Sequence, residues 1–323
     1  MNILVTGGAG YIGSTLVPFL IGHGHRVRAM DNLMYSGQSL LGVWSHPGFE
    51  FIRADISDSK AVEAALEGMD AVVHLAAIVG DPACARQPDL ARKVNLDASL
   101  RLFELSQRQG IGRFVFASTC SNYGSVADPS EYVTEESELR PASLYAETKV
   151  AVEDALLGKA EDNGTAVTVL RFATVFGLAP RLRFDLTVNE FTAQLFTTRK
   201  LVVYGDQFWR PYIHVRDAAG AITMVLDAPS DKICGQVFNV GCTQENYQKA
   251  RLVDLICAQI GGEMQIQHVD KQEDPRSYRV SFEKITDTLG FRVTRTVADG
   301  IREVIEALST GVITDFDQPC YRN

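Results

Sequence analysis

Tyr145 and Lys149 stand four residues apart in Tyr145-Ala146-Glu147-Thr148-Lys149, a spacing that puts both on one face of a helix. A phenol titrates near pH ~10, so it serves as a base near neutrality only if a cation stabilises the phenolate, and a lysine one turn away is such a cation. Upstream, Phe114-Val115-Phe116-Ala117-Ser118-Thr119-Cys120-Ser121-Asn122-Tyr123-Gly124 is an apolar run that ends in hydroxyls. An earlier run closes on His74-Leu75-Ala76-Ala77. A base of this kind can take the proton of an alcohol as it is oxidised.

Such chemistry needs a hydride carrier, and Thr6-Gly7-Gly8-Ala9-Gly10-Tyr11-Ile12-Gly13 lies where a first strand meets a first helix. A tight strand-to-helix turn needs backbone angles that most side chains forbid, and the missing side chains let peptide N–H groups approach a pyrophosphate at the helix N-terminus. Gly7, Gly10 and Gly13, with Tyr11 and Ile12, are therefore candidate dinucleotide contacts. Asp31, followed by Asn32, comes 18 positions after Gly13, near the offset at which a carboxylate meets a ribose hydroxyl. It favours NAD over NADP, whose 2′-phosphate it would repel. Asp55 and Ile56 close the third strand and can reach the adenine, while Asp55 or Ser57 can equally cap the following helix.

The elements that must position these residues follow from hydrophobic periodicity. Apolar runs at residues 3–6, 26–30, 49–54, 71–74, 114–118 and 167–171 alternate with amphipathic segments at 12–21, 59–66, 90–107 and 145–160. This predicts βαβ units and a Rossmann-like, doubly wound parallel α/β sheet with both faces covered. After Gly177 the alternation becomes irregular, which predicts a dinucleotide domain over 1–177 and a smaller α/β substrate lobe over 178–323. Strands at Arg210 to Val215 and Gln236 to Val240, with a helix over 217–226, are expected to send residues within 208–240 back into the first sheet.

The 323 residues suffice for two cores without disulfides or metals. Six scattered cysteines form no CxxC pair, so no metal site and a reduced setting are expected. Met1 leads directly into Asn2-Ile3-Leu4-Val5 without the features of a signal peptide, and no run approaches a membrane span. A cytoplasmic protein is the expectation. With 31 basic and 40 acidic residues and a net charge of −9, a general nucleic-acid or membrane-surface role is disfavoured, and anionic ligands must be held by local groups.

In this order the glycine spacing, Asp31, the strand-end hydroxyls and Tyr145/Lys149 resemble the extended short-chain dehydrogenase/reductase family, in its NAD-dependent nucleotide-sugar epimerase/dehydratase branch. Val94-Asn95 and Arg210 to Asp217 are also similar to family motifs, so the resemblance spans nearly the whole chain. It implies NAD as cofactor, with Leu75, Ala76, Ala77, Asn95 and Ser118 joining the glycine turn around it. It implies that Thr119, four positions before the Tyr of Tyr123-Gly124, bonds the sugar hydroxyl being oxidised, with Ser118 as competitor. Tyr145 then takes the C4 hydroxyl proton, and Lys149 lowers its pKa and holds the nicotinamide ribose.

The 4,6-dehydratases of that branch resemble Thr-Asp-Glu-x-Tyr-Gly, where this chain has Cys120-Ser121. Two neutral groups do not replace an acid and a base, and the related decarboxylases also look for Glu where Ser121 sits. Cys120 is one place out of register with the cysteine of 3,5-epimerising members, and is expected to be a small buried residue. The resemblance therefore implies a 4-epimerase, with a 4-dehydrogenase that releases its keto product as the alternative and a non-catalytic NAD or nucleotide-sugar sensor as a reading of another class. Thr174 replaces a common Asn, and the segment Pro180 to Asn189 is similar to that of members acting on unusual sugars, heptoses included. Ser121, Asn122, Thr174, Arg183, Asn189, Arg210 and Arg276, or Lys271 in place of Arg276, are the candidates for a nucleotide-diphosphate sugar. His214 is expected to be structural. A homodimer through residues 90–107 and 145–160 is implied, although their apolar stripes fit a core equally.

Overall fold

The computed structural model describes residues 1–126, 128, 131–159, 164–270 and 276–323. Lys271 and the expected helix end at Ala160 fall outside them. The first half runs β1 (Asn2–Thr6), α1 (Tyr11–Gly22), β2 (Arg26–Asp31), β3 (Phe49–Arg53), α2 (Ser59–Leu66), β4 (Ala71–His74), α3 (Asp81–Arg86), α4 (Pro88–Arg92), α5 (Ser99–Arg108), β5 (Arg113–Thr119), β6 (Tyr132–Val133), α6 (Leu144–Leu157) and β7 (Ala166–Phe172). There follow β8 (Thr174–Phe176), α7 (Thr187–Thr198), β9 (Lys200–Tyr204), β10 (Trp209–His214), α8 (Val215–Asp227), α9 (Ser230–Ile233), β11 (Gln236–Val240), β12 (Asn246–Gln248), α10 (Lys249–Ile260), β13 (Gln265–Val269), β14 (Arg279–Val280), α11 (Glu283–Leu289) and α12 (Val297–Ser309).

Seven strands form one parallel sheet in the order β11-β7-β5-β4-β1-β2-β3. This is the Rossmann-like α/β arrangement. Its central strands are mostly apolar because helices cover both faces, and β4 and β7 are buried at every position, His74, Thr168 and Arg171 included. One face buries Leu16, Val17 and Leu20 of α1 against Ala218, Ile222 and Val225 of α8; the other packs α2, α5 and α6. Each such aliphatic side chain removed from water stabilises the fold by roughly 1.5–3 kcal/mol.

The register aligns the strand ends. Thr6 pairs with both Met30 and His74, and Thr119 with Phe172. The residues that follow therefore open along one carboxyl edge, on either side of the β1/β4 boundary where the winding reverses and a ligand crevice forms.

Two expectations need correction. β10 does not join the large sheet: it lies between β12 and β8 in a three-stranded sheet, while α8 and β11 do return. An apolar strand run does not encode which edge it will meet. The long helix expected over 90–107 is α4 and α5 joined by wide π-type turns at Lys93–Ala98. These turns carry Asn95 inward, where its amide accepts from Ile78 N (2.8 Å) and donates to Ile78 O (3.0 Å).

Candidate active site

Above the carboxyl edge lies a cavity of about 770 Å³, lined from Gly7 at one end to Arg276 at the other. At the first end the glycine turn is built for close approach. Gly7 has φ +73°, and a Cβ there would stand 2.7 Å from Ala76 N; a Cβ on Gly13 would stand 2.2 Å from Gly7 O. Gly10 begins α1 without a side-chain cap, and the first turn of the helix has no acidic residue. The positive end of the helix dipole thus meets the cavity without an acidic residue in its own first turn.

Asp31 ends β2 in the cavity wall, accepting from Ala9 N (3.0 Å) and Leu33 N (2.8 Å). Burial pushes its carboxyl pKa up, against the lowering effect of those two bonds. Asp55 accepts from Ser57 N (2.8 Å) and Asn32 Nδ2 (2.9 Å). Burial raises its pKa, but these donors outweigh burial and the net shift is downward. The cap of α2 is neither Asp55 nor Ser57 but Asp58, which accepts from Lys60 N and Ala61 N.

At the centre, Ser118, Thr119, Tyr145 and Lys149 all line the cavity. Ser143 caps α6 by accepting from Ala146 N (3.3 Å), which sets the first turn from which Tyr145 projects. Lys149 Nζ donates to Ala117 O (2.8 Å) and lies 5.9 Å from the centroid of the Tyr145 ring. Burial lowers the Lys149 pKa to about 8, with Glu153 pulling the other way. Burial also pushes the Tyr145 phenol above its ordinary value, assisted by Cys84 and Asp81 and opposed by Arg183. The phenolate therefore depends on positive charge brought next to it. Thr119 Oγ1 accepts from Ser121 N (3.1 Å), which leaves its proton available for a ligand oxygen. His74 is fixed between Thr6 Oγ1 (2.7 Å) and Ser99 Oγ (2.8 Å), and burial with the nearby Lys149 lowers its pKa to about 3, so it is neutral scaffolding.

Ser121, Thr174, Arg183, Arg210 and Arg276 also line the cavity. Arg183 forks onto Asp185 (2.9 and 2.6 Å), and Arg276 meets Asp81 at 2.8 Å. Three expected contacts do not reach the wall. Asn122 is fully buried and donates to Ser118 Oγ and Glu153 Oε1. Asn189 is fully buried and holds Gly177 N, Gly177 O and Arg183 O. Asn95 clamps Ile78, whose backbone segment does line the cavity. Their amide N–H groups are thus used inside the protein, although Asn122 Oδ1 is buried without a partner. Cys120 is also buried outside the wall, its thiol donating to Arg171 O and its pKa raised by desolvation. His214 is buried too, with Nε2 2.8 Å from Glu303.

Other residues of the site escaped the sequence reading. Glu153 is one turn beyond Lys149 on the face shared with Tyr145, a spacing visible in the sequence. It accepts from Ser118 and Asn122, and forms a buried ion pair with Arg171 at 2.7 Å. Asp81 and Arg181 carry no such periodic signal, since they come from loops brought together by the fold.

A glycine turn at a helix N-terminus, a buried strand-end carboxylate and a Thr-Tyr-Lys set thus lie along one Rossmann-like edge. Residues 3–241 match the NAD dependent epimerase/dehydratase family, and the chain belongs to it. It is 31% identical to a dTDP-glucose 4,6-dehydratase of Streptomyces niveus over 95% of this chain and 92% of that one. Among solved structures it resembles the UDP-glucose 4-epimerase of Thermus thermophilus in complex with NAD, with TM-score 0.81, 27% identity and coverage of 96% and 99% of the two chains. It also resembles DesIV, a dTDP-glucose 4,6-dehydratase of Streptomyces venezuelae with NAD and TYD bound, with TM-score 0.85, 26% identity and coverage of 96% and 97%. NAD is the cofactor, and the cradle at Gly7 and Gly13, the uncapped α1 and Asp31 fit it. No described helix is long and apolar enough to cross a membrane.

Proposed function

We propose that the chain is an NAD-dependent nucleotide-sugar 4-epimerase. The observation that carries this reading is the pairing of an oxidising set, Thr119, Tyr145 and Lys149, with Cys120-Ser121 beside it: the thiol is buried outside the wall, and neither residue supplies a carboxylate for eliminating water. NAD held at the glycine turn and Asp31 would supply the acceptor, and then the donor, for the C4 hydride of the sugar. Thr119 donates to the C4 oxygen and Tyr145 takes its proton, while the Lys149 ammonium, oriented by Ala117 O, stabilises the phenolate. Tyr145 gives the proton back when the 4-keto sugar is reduced on its other face. Arg183, Arg210 and Arg276, all in the wall, suit a diphosphate by their forked donors.

Incubation with UDP-, GDP-, ADP- and dTDP-sugars, followed by NMR of C4 stereochemistry, tests the reading; inversion without net redox is expected. A released 4-keto sugar with stoichiometric NADH would replace it with a 4-dehydrogenase, a 4-keto-6-deoxy product with a dehydratase, and retained ligand without turnover with a sensor. Tyr145→Phe should lower kcat by about 10²–10⁴. The reading includes a homodimer. Leu102 and Phe103 of α5, with Val152 and Leu156 of α6, face the core, which leaves an interface to the partly buried Leu100 and Leu157. Light scattering should give twice the chain mass, and a monomeric mass removes the dimer.

A further inference from the structure

The loop from Gly177 to Asp185, between β8 and α7, folds back over the start of α1. Tyr11 Oη donates to Gly177 O (2.7 Å), Arg181 N donates to Ser14 Oγ (3.2 Å), and Ala179 packs with Tyr11 and Val215. This lays a segment of the second half across the helix end that the glycine turn opens.

Within that loop Arg181 is placed unusually for a cation. It is only 5% exposed yet lines the cavity. Its Nη atoms donate to Leu182 O (3.3 Å) and Arg322 O (3.1 Å), while Nε is buried with no hydrogen-bond partner. The guanidinium lies 4.6 Å over the ring of Tyr35, in the loop after Asp31 and Asn32. That loop is itself joined to the glycine turn, because Ser39 Oγ donates to Ala9 O (2.9 Å). Three other arginines of the wall are paired with carboxylates: Arg183 with Asp185, Arg276 with Asp81, and Arg322 with Glu190 and Asp317. Among the described residues no carboxylate lies within ion-pair distance of Arg181. Burial lowers its pKa, and Arg183 nearby adds to this.

Asp185 acts on Arg181 only from beyond ion-pair distance, and a buried guanidinium with an orphaned N–H and no direct ion pair is costly in isolation. The arrangement becomes favourable once an anion enters beside it. The anion for which this end of the cavity is built is a diphosphate ester at the α1 N-terminus, where the helix offers only about half a unit charge against two negative charges. We propose that Arg181 anchors the pyrophosphate of the cofactor, so that the second half of the chain, stacked on Tyr35, holds the dinucleotide against the glycine turn. Retention of NAD then depends on a residue outside the sheet that binds it. The proposal does not require the epimerase reading, since any chemistry with a resident NAD would use it.

The test is equilibrium binding to nucleotide-stripped full-length protein, comparing wild type with Arg181→Gln and Arg181→Lys by calorimetry. The probes are NAD, adenosine, which lacks phosphate, and UDP and dTDP for the substrate end. Loss of one charge-assisted contact is expected to weaken NAD about 10- to 100-fold in Arg181→Gln, with Arg181→Lys intermediate and the other three probes unchanged. NAD binding to wild type should also weaken more steeply with salt than binding to Arg181→Gln. Unchanged NAD affinity overturns the proposal. So does an equal loss of adenosine, which would mark a packing defect, or a loss confined to UDP and dTDP, which would assign Arg181 to the substrate diphosphate. If Arg181→Gln does not fold, the Arg181→Lys comparison decides alone on the same readouts.

Discussion

At Lys149 burial and chemistry act against each other. The ammonium must be charged to stabilise the Tyr145 phenolate, but its surroundings lower its pKa from 10.5 to about 8. Between those values the unfolded chain binds the extra proton, so this residue weakens the fold most below pH 8, and the penalty fades as pH rises toward 10.5. The shift corresponds to about 3 kcal/mol. Lys149→Met, in nucleotide-free protein, is therefore expected to unfold at higher urea than wild type at pH 7, with the gain shrinking by pH 9.5, and to lose turnover. A variant less stable than wild type at pH 7 would show that the bond to Ala117 O and the attraction of Glu153 outweigh burial.

The ion pair between Glu153 of α6 and Arg171 of β7 ties the helix that carries Tyr145 and Lys149 to the sheet. Their side chains are 1% and 5% exposed, and Glu153 also receives Ser118 and Asn122. Removing one partner strands the other, which typically costs about 3–5 kcal/mol, whereas replacing both by apolar residues of similar volume is nearer neutral. Urea unfolding of Glu153→Met, Arg171→Met and the double variant should thus show both singles destabilised by about that amount and the double by less than either; additive losses would mean that the two residues act separately. The pair also bears on what the sequence discloses. The strand and helix alternation, the glycine turn, Asp31 and the Tyr145/Lys149 face are legible because each is a local period or a turn with its own sterics. The π-type turns at Lys93–Ala98 are not, since a bond from Asn95 to a loop 17 residues away sets them. Asn122 and Asn189 look like ligand contacts as residue types, but the fold spends their amides on Glu153, Ser118, Gly177 and Arg183. β10 has the apolar run of a sheet strand, and only the tertiary arrangement assigns it to β8 and β12.

Over the whole molecule the two halves meet around the cofactor end, with α8 and β11 returning to the large sheet and the Gly177–Asp185 loop crossing α1. A ligand held by both halves binds the folded state alone, so it should stabilise the entire chain and not one half of it. At a free concentration of 100 times its Kd the gain is about 2.7 kcal/mol, several degrees in Tm for a chain of this size. The net charge of −9 gives no general attraction for an anion, so the selectivity between dinucleotides falls to local groups. Asp31 is bonded to Ala9 N and Leu33 N, and the role proposed for it is to meet a ribose hydroxyl and repel a 2′-phosphate. Stripped protein scanned calorimetrically with equal concentrations of NAD and NADP should therefore show one transition that NAD moves upward and NADP moves much less. Asp31→Asn should narrow the difference between the two. Equal shifts with the wild-type protein would remove Asp31 from the cofactor site, and a second, unshifted transition would show that the halves unfold independently of the ligand between them.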